Sequence, residues 1–92
     1  MAVEVRIPTI LRTFTGGEKA VQGAGATLAQ VIDDVDSRHP GLKSRLVESD
    51  SLRRFVNVYV NDEDVRFSGG LEAPTADGDV VVVLPAVAGG AR

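Results

Sequence analysis

From Val3 to Ile7 apolar residues fall at every second position, with Glu4 and Arg6 between them. A period of two predicts a half-buried strand that turns Val3, Val5 and Ile7 toward a core. Pro8 has no amide hydrogen to give a ladder, so it ends that strand or marks an edge. The glycines of Phe14-Thr15-Gly16-Gly17-Glu18 can take positive φ and predict a reversal, with a second strand from about Lys19 to Gln22. After the loop Gly23-Ala24-Gly25-Ala26 the period changes. Leu28, Val31, Ile32 and Val35 recur at helical spacing, and the Thr27 hydroxyl is suited to cap their helix. Asp33, Asp34, Asp36 and Arg38 fall mostly on the other face. Pro40 disfavours a helical residue before it and Gly41 follows, so the helix should stop at His39.

Leu42 and Leu46, four apart, predict a short helical turn inside a long connection that runs to Ser51. Arg54 to Val60 is the clearest strand, with Val56, Val58 and Val60 on one face and Phe55, Asn57 and Tyr59 on the other. Asn61-Asp62-Glu63-Asp64 reads as a polar turn, Val65 to Phe67 as a short strand, and Ser68-Gly69-Gly70 as another turn. A turn-rich stretch from Pro74 to Asp79 leads into Val80 to Leu84, apolar at every position. Such a strand is either central and buried on both faces, or has one face exposed for a partner. One helix can cover one face of one sheet. The hairpin followed by a helical crossover predicts that the third long strand returns beside the first, through a right-handed connection.

At 92 residues the chain is one domain, with a 43% hydrophobic fraction and 25% charged residues. The net charge of -3 argues against nucleic acid as the main partner, because phosphate binding needs a basic face. There is no cysteine, which excludes disulfides, thiolate metal sites and a cysteine nucleophile. His39 is the single histidine, too few for histidine-based catalysis or metal clusters. The opening Met1 to Arg6 carries no basic region before an apolar run, so no secretory signal is read. No apolar stretch approaches the ~20 residues that span a bilayer. These features read as a cytoplasmic protein.

The end of the chain carries the most chemistry. After the last strand and Pro85 come Ala86-Val87-Ala88 and then Gly89-Gly90-Ala91-Arg92. A glycine pair with no element after it caps no helix and holds no hairpin, so residues 86–92 read as a flexible tail on a domain of residues 1–85. Val87, Ala88 and Gly89 are slim enough to thread a narrow channel. They would bring the backbone at Gly90 to a reacting nucleotide in another protein's active site; the alternative is a frayed terminus or an expression scar.

The strand order resembles the ubiquitin-like sulfur-carrier family of ThiS and MoaD. So do Val58-Tyr59-Val60-Asn61-Asp62-Glu63-Asp64-Val65, Asp77-Gly78-Asp79-Val80 and the ending Leu84 to Gly90. The opening Ile7-Pro8-Thr9-Ile10-Leu11-Arg12 is similar to the branch that supplies sulfur for cysteine. The resemblance covers nearly the whole chain. It implies an α+β fold, the ubiquitin-like β-grasp, a mixed sheet packed on one main helix. It also implies a protein co-substrate and not a catalyst, with no tightly bound cofactor. An E1-like enzyme would use ATP and magnesium to adenylate the Gly90 carboxylate and convert it to a thiocarboxylate. A PLP-dependent cysteine synthase would then take the sulfur. In this chain Gly90 is in amide linkage to Ala91, which offers no carboxylate. Either a JAMM-type metallopeptidase trims Ala91-Arg92 from a precursor, or those residues are a scar or a natural block.

Three other destinations share the same activated end: a ubiquitin-like protein modifier, the small subunit of molybdopterin synthase, and a sulfur carrier for a secondary metabolite. Gly16-Gly17 and Gly69-Gly70 lack the lysine and helix of a phosphate loop and read as turns. Asp62-Glu63-Asp64 lacks calcium-loop spacing. The helix aspartates read as a solvated face that could also meet a basic partner, and His39 as a polar helix end. Phe55 and Tyr59 are either core beneath the Leu42–Ser51 connection or, with Leu84, a partner-binding patch on an open sheet face.

Overall fold

The computed structural model of the chain describes residues 2–54 and 56–85. Strand β1 (Val3–Arg6) pairs antiparallel with β2 (Ala20–Gly23), setting Val5 opposite Val21. A 3-10 segment, Thr9–Thr15, joins them, and Gly16 and Gly17 turn the chain at φ 65° and 91°. The second strand thus begins one residue later than the alternation predicted. Thr15 is buried, and its hydroxyl lies 2.9 Å from the Glu18 carbonyl that it satisfies.

Helix α1 (Leu28–Arg38) starts where Thr27 accepts from the Gln30 amide at 3.3 Å. It ends at His39, whose N–H still donates to Val35 before Pro40 stops the turn. Its apolar stripe, Leu28, Val31, Ile32 and Val35, is fully buried. Each such side chain contributes about 1.5–3 kcal/mol on burial. The helix is followed by α2 (Leu42–Leu46), which buries Leu42 and Leu46. Asp36 caps this turn by accepting from the amides of Gly41 and Lys43 at 3.1 and 3.0 Å. A small hairpin, β3 (Val47–Glu48) and β4 (Ser51–Leu52), completes the long connection.

β5 (Val56–Val60), β6 (Glu63–Asp64) and β7 (Val80–Pro85) complete a five-stranded sheet in the order β2-β1-β7-β5-β6. β7 runs parallel to β1 and antiparallel to β5. The third long strand therefore does not return beside the first, because β7 lies between them. A strand apolar at every position belongs in the middle, where both edges are paired, and β5 with its polar Asn57 takes the outer place. The short strand also moves: β6 is Glu63–Asp64, whereas Val65–Phe67 is a 3-10 turn. Asp64 starts that turn by accepting from the Arg66 amide, and Val65 anchors it in the core. A second 3-10 turn, Gly70–Glu72, lies between it and Ala73, which is buried.

Candidate functional site

The sheet has one face on α1 and one open face. Val5, Val58, Val81 and Val83 are buried against the helix stripe. Alternation sends their neighbours the other way. The register lines up Tyr59, Val82, Arg6 and Ala20 across four strands, and sets Asn57 beside Leu84 one pair further along. Tyr59 thus stands on the open face, half-exposed, and not in the core beneath the Leu42–Ser51 connection. Val80 and Val82 are partly buried there, while Leu84 is 47% exposed at the end of the central strand. The result is an apolar strip that leads to the point where the tail leaves the domain.

Two concavities flank that point, and Pro85 lines both. One, of about 450 Å³, lies on the open face between Val82–Leu84 and the segment Arg6–Ile10. The other, of about 490 Å³, is bounded by Phe14, Val56, Arg45 and Arg53. Ile10, 67% exposed, lines both. The surroundings are cationic. Arg6 pairs with Glu4 at 2.7 Å, Arg12 donates to the Ile7 carbonyl at 3.1 Å, and Arg45 lies over the Phe14 ring at 5.4 Å.

The start of β7 is held by Asn61 and Asp79. The Asn61 side chain donates to the Asp79 carboxylate at 3.0 Å and accepts from the Val80 amide at 3.0 Å. The Ala76 amide donates to the other Asp79 oxygen at 2.9 Å. Together these bonds, that from Asn61 foremost, hold the Asp79 carboxyl below its ordinary value. The helix aspartates are committed within the chain: Asp33 to Lys43 at 2.5 Å, Asp34 to Arg38 at 3.1 Å, and Asp36 to α2. Among the described residues no group of three or more His, Asp or Glu could hold a metal ion.

Of the residues singled out in the sequence, Tyr59 and Leu84 lie on one face, two positions apart in the register. Phe55, Val87, Ala88, Gly89, Gly90, Ala91 and the whole of 86–92 lie outside the described residues. Sequence reasoning missed Ile10 and Pro8 beside Leu84. An extended reading ends at Pro8, and nothing in the pattern shows that the following 3-10 segment folds back along β7.

A mixed sheet with its last strand in the centre, packed on one helix and releasing the chain end beside an exposed apolar strip, is the ubiquitin-like β-grasp. The ThiS family model matches residues 5–90, and the chain belongs to that family of small sulfur-carrying proteins, which are not themselves enzymes. It is 58% identical over 93 residues to the sulfur carrier protein CysO of Mycobacterium tuberculosis, covering 98% of this chain and 100% of that protein. It is 37% identical, at the same coverage, to small archaeal modifier protein 3 of Haloferax volcanii. CysO in the crystal structure of the Amycolatopsis orientalis BexX/CysO complex superposes with a TM-score of 0.93 at 68% identity, over 96% of this chain and 99% of that one. The family match ends at Gly90, so Ala91 and Arg92 fall outside it. Among the described residues no helix is long and apolar enough to cross a membrane.

Proposed function

We propose that this carrier bears its sulfur as a thiocarboxylate on Gly90 after Ala91-Arg92 has been removed, and delivers it for cysteine synthesis. One observation carries the reading. The central strand ends at Leu84 and Pro85 beside an apolar strip, and five residues separate Pro85 from the carboxyl carbon of Gly90. Five extended residues reach at most about 18 Å, enough to enter an active site while the domain docks outside it. A free carboxylate is unreactive until one oxygen becomes a leaving group. In an E1-like enzyme that oxygen attacks the α-phosphorus of magnesium-bound ATP and pyrophosphate departs. A sulfur nucleophile then displaces AMP from the acyl carbon and leaves a C–S bond. The carrier supplies the reacting atom and holds it in place by docking.

The cysteine route rests on the likeness to the CysO proteins. The thiocarboxylate sulfur would add to a serine-derived acceptor whose phosphate has left, held by a PLP-dependent synthase. The amine then takes the acyl group from sulfur, and a JAMM-type metallopeptidase hydrolyses the new amide after Gly90. The same peptidase could cut before Ala91, since both cuts follow the same glycine. A second reading, a modifier joined through Gly90 to lysines of other proteins, is favoured by the 37% identity to small archaeal modifier protein 3. It begins with the same adenylation.

The E1-like partner docks on the open face at Tyr59 and Leu84; Phe55, also singled out in the sequence, lies outside the described residues. Three proteins in an ATP–pyrophosphate exchange assay test this. The form ending at Gly90 should exchange, the full-length chain should be inert, and Tyr59→Asp in the Gly90-ended form should remain folded but lose about tenfold or more in kcat/KM. Equal exchange by the first two would show that Gly90 is not the activated residue. Full activity in folded Tyr59→Asp would move the docking surface elsewhere.

A further inference from the structure

β5 is paired with β7 along its whole length, but on its other edge β6 covers only Tyr59 and Val60. Among the described residues, no strand pairs with the far edge of β5 from Val56 to Val58. Bare carbonyls at a sheet edge invite another chain unless something caps them. Here the guanidinium of Arg66 does so. Its Nη2 donates to the carbonyls of Val56 at 2.9 Å and Arg54 at 3.3 Å, and its Nη1 donates to the Asn57 side-chain oxygen. Arg66 is placed by its own backbone, whose amide donates to the Asp64 carboxylate at 2.9 Å, and by the buried neighbour Val65.

The clamped residues are the ones opposite the tail root. Val56 faces Pro85 and Asn57 faces Leu84 in the register. Pro85 has no N–H, so the Leu84 amide is the last on β7 that can donate to the ladder. The end of the central strand thus rests on the half of β5 that has no strand behind it. We propose that Arg66 is a positioning residue. It stands in for the missing strand, ties the Arg54 and Val56 carbonyls to the Asn57 side chain, and so fixes where and in which direction the chain leaves the domain after Pro85. Its consequence for catalysis rests on the reading that Gly90 is the reacting end, since a lead of five residues carries any error at its root to the carboxylate. The guanidinium is specific to the task. Its planar fork serves three acceptors at once, whereas a lysine ammonium is a point donor.

Two measurements test the proposal, on Arg66→Ala and Arg66→Lys. Amide hydrogen exchange on the isolated chain should quicken about tenfold at Asn57 and Leu84, with Val5 and Val21 unchanged, and lysine should restore little. For forms ending at Gly90, kcat for adenylation should fall about fivefold or more while KM stays within about twofold. Unchanged exchange at Leu84, or an equal increase at Val5, would overturn the positioning role. So would a raised KM with unchanged kcat, which would place Arg66 in contact with the partner. If the wild-type Gly90-ended form is not activated at all, the functional reading fails, and the exchange result still decides whether the clamp exists.

Discussion

At the scale of single residues, the site depends on groups that fix strand ends and do not themselves react. Asp79 is the plainest case. Its carboxylate takes hydrogen bonds from Asn61 and from the Ala76 amide, and its own carbonyl accepts from Glu4, so it joins the β5–β6 turn, the approach to β7 and β1. Its folded pKa lies below the ordinary 3.8, so the unfolded chain binds the proton more readily. Asp34 is lowered likewise, by its bond from Arg38 first. Stability from both is fully present above their ordinary pKa and lost as pH falls through the lower folded values. An NMR titration should place both carboxyl midpoints below 3.8. In Asn61→Ala the Asp79 midpoint should rise and that of Asp34 should not move. An Asp79 midpoint unmoved by Asn61→Ala would show that the bond does not hold its ionised form.

Among the elements, β2 meets α1 at Gly23, where a methyl group would come within 2.8 Å of Val35 Cγ2 and 2.9 Å of Val31 Cγ1. That close approach lets one helix cover a five-stranded sheet. Gly23→Ala should cost about 1–3 kcal/mol through overpacking, read as a lower urea midpoint at unchanged slope. A neutral result would mean that β2 can slide away from the helix at no cost. The elements with strong periods were legible in the sequence: the alternation of Val3, Val5 and Ile7, the α1 stripe with its Thr27 cap, and Val56 to Val60. The β3–β4 hairpin was not, because its turn residues Ser49 and Asp50 take φ of 53° and 65° with no glycine to signal it. Val65–Phe67 read as a strand because Val65 and Phe67 alternate about Arg66. A strand would put both on one face, but in the fold Val65 is buried and Phe67 is 86% exposed, because the backbone between them winds as a 3-10 turn begun by Asp64.

For the whole molecule, the order of strands in the sheet decides where the chain leaves the domain. With β7 between β1 and β5, Val81 and Val82 are paired on both edges, while Leu84 and Pro85, where the chain leaves the domain, are paired with β5 alone. Local periodicity could not show this, because the parallel β1–β7 pairing joins residues more than seventy positions apart. The candidate site divided in the same way. The sequence picked out Tyr59 and Leu84 but left open which face Tyr59 takes, and Ile10, Pro8 and the Arg66 clamp come together with them only through the fold. The claim tested most directly is that Gly90 carries the sulfur. The measurement is the intact mass, with fragmentation, of the Gly90-ended chain after incubation with an E1-like enzyme, ATP, magnesium and a sulfide donor. The account predicts a gain equal to one sulfur in place of one oxygen, located on Gly90. An unchanged mass while ATP is consumed, or sulfur located at any other residue, would contradict it.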